Sequence, residues 1–180
     1  NTAPDTLTGP LQPLSTLSLT PVDIPEQYGQ PERGASQQQR EAARKKQRQV
    51  AQESLHARMR QALENPNQLQ EVMTDFWFNH YNVYIGKGIT RLWAGVYEKT
   101  VLRPLALGKF RDLLGATAKH PAMSFYLDNW RNTDPASELA KGQYKGVNEN
   151  YARELMELHT MGVDGGYTQA DVESLTRILT

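Results

Sequence analysis

The sequence predicts an all-α protein, a multi-helix orthogonal or bundle-like array with an extended Pro-rich N-terminal arm. Three observations predict it. After residue 36, apolar residues recur at three- and four-residue steps, the spacing of one helix face. No stretch shows the strict alternation of a half-buried strand, and there is no internal repeat. Capping residues and Gly, Asn or Pro breaks punctuate the periodic segments where helices would start and stop.

Residues 1–35 hold six of the ten prolines: Pro4, Pro10, Pro13, Pro21, Pro25 and Pro31. Proline at that density removes backbone donors and blocks regular structure, so this segment is expected as an extended arm. Leu11, Leu14, Leu17 and Leu19 would lay it on a partner surface, and a disordered linker is the equal alternative. A helical domain is expected over residues 36–180. Ser36 is placed as the N-cap of a long helix rich in strong helix formers, "SQQQREAARKKQRQVAQESLHARMRQALEN". Its apolar positions sharpen toward the end, at Ala51, Leu55, Met59, Ala62 and Leu63.

Asn65-Pro66-Asn67 breaks that helix, and Asn67 can cap the next, which runs to about Val83. In it Leu69, Val72, Met73, Phe76, Trp77 and His80 share one stripe. Gly86-Lys87-Gly88 follows, Thr90 opens another helix, and Pro104 is expected to start one more through Leu114. His120-Pro121 makes a short break, and Asn132 to Gly146 reads as a polar loop.

The most patterned stretch is "NENYARELMELHTMGVDGGYTQADV", residues 148–172. A helix from about Asn148 to Met161 would place Glu149, Arg153 and Glu157 on one line at four-residue steps, an acid–base–acid ladder. Gly162 supplies a left-handed helix end, and Thr168 with Asp171 forms a capping box. The last stretch, "TQADVESLTRILT", reads as an amphipathic helix without a stop signal, which suggests a piece of something longer.

Composition narrows the function classes. Lys+Arg and Asp+Glu each number 20 in 180 residues, so global charge steers toward neither nucleic acid nor membrane. Mean hydropathy is −0.65 and only 38% of residues are hydrophobic, so either part of the chain is extended or part of the core comes from a partner, expected as the remainder of its own polypeptide or a second protein chain. With no cysteine, disulfides and thiolate chemistry are excluded. No apolar run reaches the roughly 20 residues of a membrane span. No phosphate loop, nucleophile elbow or dinucleotide fingerprint is present. Residues 33–60 carry a net charge of +6, but no aromatic for base stacking, so no nucleic-acid partner is expected.

Carboxylates and imidazoles remain. His80, Glu154, Glu157 and His159 are the candidate catalytic residues, with Asn79, Arg153 and Glu149 as binding or orienting groups. A divalent metal would draw on His80, Glu154, His159, Asp164 and Asp171. The spacing is unhelpful, because Glu154 and His159 are five apart and Glu157 and His159 two apart, and such offsets diverge on an α-helix. "VDGGYTQADVE" has the second half of a calcium loop but lacks oxygen ligands at its opening positions.

The stretch at 148–172 resembles the signature of a bacterial family known as domain of unknown function 1800. So do "NPNQLQEVMTDFWFNHYNV", "VLRPLALGKFRDLLGATAKHPAMSFYLDN" and the terminal "DVESLTRILT", in the family's order, over roughly residues 65–180. Residues 1–60 match nothing specific. The resemblance implies a mostly helical bacterial protein of several hundred residues, exported to the periplasm or secreted, of which this chain would be the N-terminal part. It also implies a gene beside that of a second exported protein similar to sulfatases and phosphatases. The resulting expectation is a protein that acts through association with a secreted or periplasmic partner. The alternative is a metal-assisted hydrolase with a site between the Phe76–His80 and Glu149–His159 helices.

Overall fold

The computed structural model describes residues 14–138, 140–142 and 146–180. Helices account for the regular structure, and among the described residues there is no strand. The chain divides into two compact units, one ending at Ala116 and the other running from Thr117 to Thr180.

In the first unit, part of the segment expected as an arm lies outside the described residues, at 1–13. The rest carries a tight turn at Ser15–Ser18 and a short helix α1 (Asp23–Tyr28). Pro25 is tolerated there because it falls in the first turn, where its missing N–H has no partner to lose. The segment folds down because Ile24 is fully buried with Val50, Leu92 and Val96, with Leu17, Leu19 and Tyr28 packed around them. Glu53 fixes the tight turn by accepting from Thr16 N and Oγ1 at 2.9 and 2.8 Å, and Trp93 Nε1 donates to Pro21 O at 2.7 Å.

Helix α2 (Gln37–Glu64) starts at a full capping box, with Ser36 bound to Gln39 N and the Gln39 side chain returning to Ser36 N. It crosses α4 (Thr90–Tyr97) at Gly95, where a Cβ would come within 2.1 Å of Ser54 Oγ. Only hydrogen fits, so the glycine sets how closely the two helices approach. Asn67 caps α3 (Gln68–His80) as the sequence predicts.

Two expectations change here. Pro104 does not open a helix through Leu114; α4 runs on through one widened π turn, Glu98–Leu102, into α5 (Arg103–Leu105). The chain then breaks before α6 (Phe110–Lys119), which carries the unit boundary. The stripe on α3 is also turned outward in part. Leu69, Val72 and Phe76 are exposed at 62%, 64% and 53%, while Glu71 and Thr74 are buried. Hydrogen bonds fix that rotation, Trp77 Nε1 donating to Ala106 O at 2.9 Å and Gln70 Nε2 to Arg103 O at 3.0 Å.

The second unit holds α7 (Pro121–Tyr126), α8 (Asn150–Glu154) and α9 (Gln169–Ile178) around buried Met123, Tyr151, Ala152 and Val172. His120 caps α7 with Nδ1, accepting from Ala122 N at 3.1 Å. Asn132 donates to Thr176 O at 2.8 Å and accepts from Asn148 N at 3.0 Å, which ties the polar loop to both later helices. The expected helix from Asn148 to Met161 is α only to Glu154; Leu155–Thr160 is a second π turn. Gly162 (φ +87°) and the Thr168–Asp171 capping box are as expected.

Candidate functional site

The residues singled out for chemistry fall in different units, and each set is described within its own. Asn79 and His80 close α3 in the first unit. His80 is half-buried, stacked on Phe76 with ring centroids 6.3 Å apart and edge-on to Trp77 and Tyr81 at 5.7 and 4.6 Å. Asn79 Nδ2 donates back to Asp75 O at 2.8 Å. These are packing and helix-end contacts.

In the second unit, Glu149, Arg153 and Gln169 form a closed ring. Arg153 Nη2 donates to Glu149 Oε1 at 2.9 Å and to Gln169 Oε1 at 2.8 Å, and Gln169 Nε2 donates to Glu149 Oε2 at 2.7 Å. The ring joins α8 to α9. Hydrogen bonds from Arg153 and then Gln169 hold the Glu149 carboxyl below its usual range. The third rung of the ladder is missing, since Glu157 makes no ion pair with Arg153 within 4 Å. The π turn explains this: it rotates Glu157 off the line that an α-helix would have kept.

Burial, then the neighbouring Glu157, raise the Glu154 pKa. His159 is buried. The five-residue offset between them no longer separates them as it would on an α-helix, because a π turn brings residues five apart round to one side. Asp171 Oδ2 is engaged by Thr168 N and Oγ1, both at 2.7 Å, and Asp164 lies exposed in the turn. Among the described residues no group of three or more His, Asp or Glu is arranged to hold a metal ion. The metal-assisted hydrolase reading gains no support from this arrangement.

The feature that the sequence reading missed is a groove along α2. Three adjoining depressions of about 430, 250 and 260 Å³ follow that helix from Arg40 to Ala62. The first and second share Arg91, and the second and third share Arg58 and Glu98. At 1.5 Å per residue, the helix wall is about 33 Å long.

The character of the groove changes along its length. Arg40, Arg44 and Arg48 line the first part, with Arg91 opposite. Leu55, Phe78, Val83, Tyr84 and Ile85 line the second, and Leu55, Tyr84 and Ile85 are more than half exposed. Met59, Leu63 and Val72, at 54%, 80% and 64% exposure, continue the apolar surface over the C-terminal half of α2 and onto α3.

A buried ion network floors the third part. Arg103, 7% exposed, is bound to Glu71 through Nη1 and to Glu98 Oε1 through Nη2 at 2.9 Å. Arg58 approaches Glu98 Oε2 at 3.7 Å, pairs with Asp75, and lies 4.2 Å over the Phe78 ring. The π turn builds this floor. Glu98 and Arg103 are five residues apart, about 140° apart on an α-helix, but the Arg103 N–H bonds Glu98 O and both side chains reach the same side. Burial works against the charge on Arg103, and its hydrogen bonds to the Glu71 and Glu98 carboxylates, with their charge, outweigh it, so its pKa is raised further.

Part of this was visible in the sequence. Arg40, Arg44, Arg48, Leu55 and Met59 lie within about 100° of one another on an α-helix, one continuous stripe. The sequence did not show which of α2's faces the α1 and α4 contacts would cover.

Fold and site together define an all-helical protein with an elongated, partly apolar groove along α2. The family model for proteins of unknown function DUF1800 matches residues 5–180, and the chain belongs to that family. The match takes in α1 and α2, which the sequence resemblance had left out. No curated protein and no solved structure matches the chain. No helix among the described residues is long and apolar enough to cross a membrane.

Proposed function

We propose that this chain acts by associating with another protein, which docks along the α2 groove. The observation that carries the reading is the unpartnered apolar surface in and beside the groove: Leu55, Met59, Leu63 and Val72, from α2 and α3, expose more than half their area near a depression lined by Phe78, Val83 and Ile85. A contiguous exposed apolar patch rimmed by charge is the mark of an interaction site. The expected setting is the periplasm or the cell exterior, as the family resemblance implies.

The test is site-specific photocrosslinking in the cell that makes the protein. A photoreactive residue at Leu55 or Met59 gives one discrete heavier species, and one at Lys46, exposed on the other side of α2, gives none. Adducts of equal yield at all three positions, or none at Leu55 and Met59, overturn the reading. Fractionation of the same cells tests the setting, and recovery wholly in the cytosol overturns it.

A further inference from the structure

We propose that the partner seats an acidic segment on Arg40, Arg44, Arg48 and Arg91 and continues as an apolar segment over Leu55 and Met59. This rests on the association reading and adds the chemistry of the occupant.

The first depression is a site of four guanidinium groups drawn from two elements, three from α2 and one from α4. Arg91 Nε is 3.3 Å from Gly88 O, and among the described residues no carboxylate lies within ion-pair distance of any of the four. Four unneutralised arginines facing one depression select an anion, and the planar guanidinium fork matches carboxylate geometry. The spacing selects an extended ligand: Arg40, Arg44 and Arg48 follow one another at about 6 Å along the helix. Carboxylates at four-residue steps on a docked helix have the same repeat. Past Arg48 the stripe turns apolar at Leu55 and Met59, so a ligand that follows it must change from acid to apolar along its length. An amphipathic helix laid in a groove has this form. A nucleic acid fits less well, because no aromatic side chain lines the basic depression to stack a base.

The experiment uses the 180-residue chain and fluorescein-labelled synthetic peptides in a polarisation titration. The probe is a 22-residue peptide with Glu at four-residue steps in one half and Leu at the same steps in the other, made in both orders. A second peptide carries Gln in place of every Glu, and a twelve-base oligothymidylate is the nucleic-acid arm. The expected result is saturable binding of one order of the acidic peptide, weakened at least tenfold by Glu-to-Gln replacement, by R44E/R48E, or by raising salt from 50 to 300 mM.

Equal binding of the Gln peptide, unaffected by R44E/R48E but lost in L55D/M59D, overturns the acidic occupant and leaves the association reading standing. Failure of both peptide orders to bind at about 100 μM, a level that would reveal even weak recognition, overturns it too. Tighter binding of the oligothymidylate, abolished by R44E/R48E, overturns it in favour of a nucleic-acid ligand. Circular dichroism of both variants confirms that they are folded, since all four substituted side chains are exposed or line the groove.

Discussion

Replacing Arg103 by Met removes the cation from between two buried carboxylates while keeping the length of the side chain. Among the described residues Glu71 then keeps its side-chain contact with Asn65, and Glu98 its approach to Arg58 at 3.7 Å. Breaking a buried pair by deleting one partner costs about 3–5 kcal/mol, because an uncompensated charge is left out of water. At about 4 °C or more per kcal/mol for a unit of this size, the melting temperature of the first unit falls by at least about 12 °C.

The signature is rescue by neutralising the carboxylates. Adding E71Q and E98Q to R103M should restore most of the loss, because no buried charge is then left without a partner. Thermal melts of the three proteins decide it. A triple variant no better than R103M refutes the electrostatic account and leaves packing as the cause.

Three further outcomes follow. Burial holds the His120 imidazole down to about pKa 4 from 6.5, so its contribution is complete above pH 6.5 and is lost as pH falls to 4, a swing of about 3 kcal/mol at 1.36 kcal/mol per unit. His120→Asn, which can still cap α7 but cannot titrate, should flatten that part of the stability–pH curve; an unchanged slope refutes the assignment. Gly95→Ala forces a methyl against Ser54 and should cost about 1–3 kcal/mol in denaturant unfolding, relieved in part by Ser54→Gly. Burial and Glu157 disfavour the Glu154 carboxylate, so Glu154→Gln should raise the melting temperature at pH 7 and lose that advantage at pH 4.

Local signals were legible in the sequence and long-range ones were not. Ser36, Asn67 and the Thr168–Asp171 pair act as caps because capping is settled within four residues. The all-α class followed from periodicity. The two π turns left no such mark: an i→i+5 bond needs no special residue type, so Leu155–Thr160 read as ordinary helix and Glu98–Leu102 fell unassigned between two expected helices. The outward turn of Leu69, Val72 and Phe76 was hidden for another reason. Periodicity identifies an apolar face but not what covers it, and Trp77 and Gln70 fix α3 through carbonyls about 30 residues away in the sequence. The groove inherits the same limit, since three of its walls come from separate elements.

The widened turn at Glu98–Leu102 also separates how long a helix is from where its side chains aim. An α-helix advances about 100° per residue, so one residue more or fewer rotates everything beyond it by that angle. Wound as regular α-helix with all five steps kept, the segment would swing Arg103 and α5 away from Glu71 and Glu98. Deleting Thr100 along with that change would bring Glu98 and Arg103 to four residues apart, about 40° on an α-helix, and keep them on one side. The turn therefore takes up one residue beyond the α-helical count while leaving Arg103 aimed at Glu98, and Lys99 and Thr100, both exposed, carry that slack.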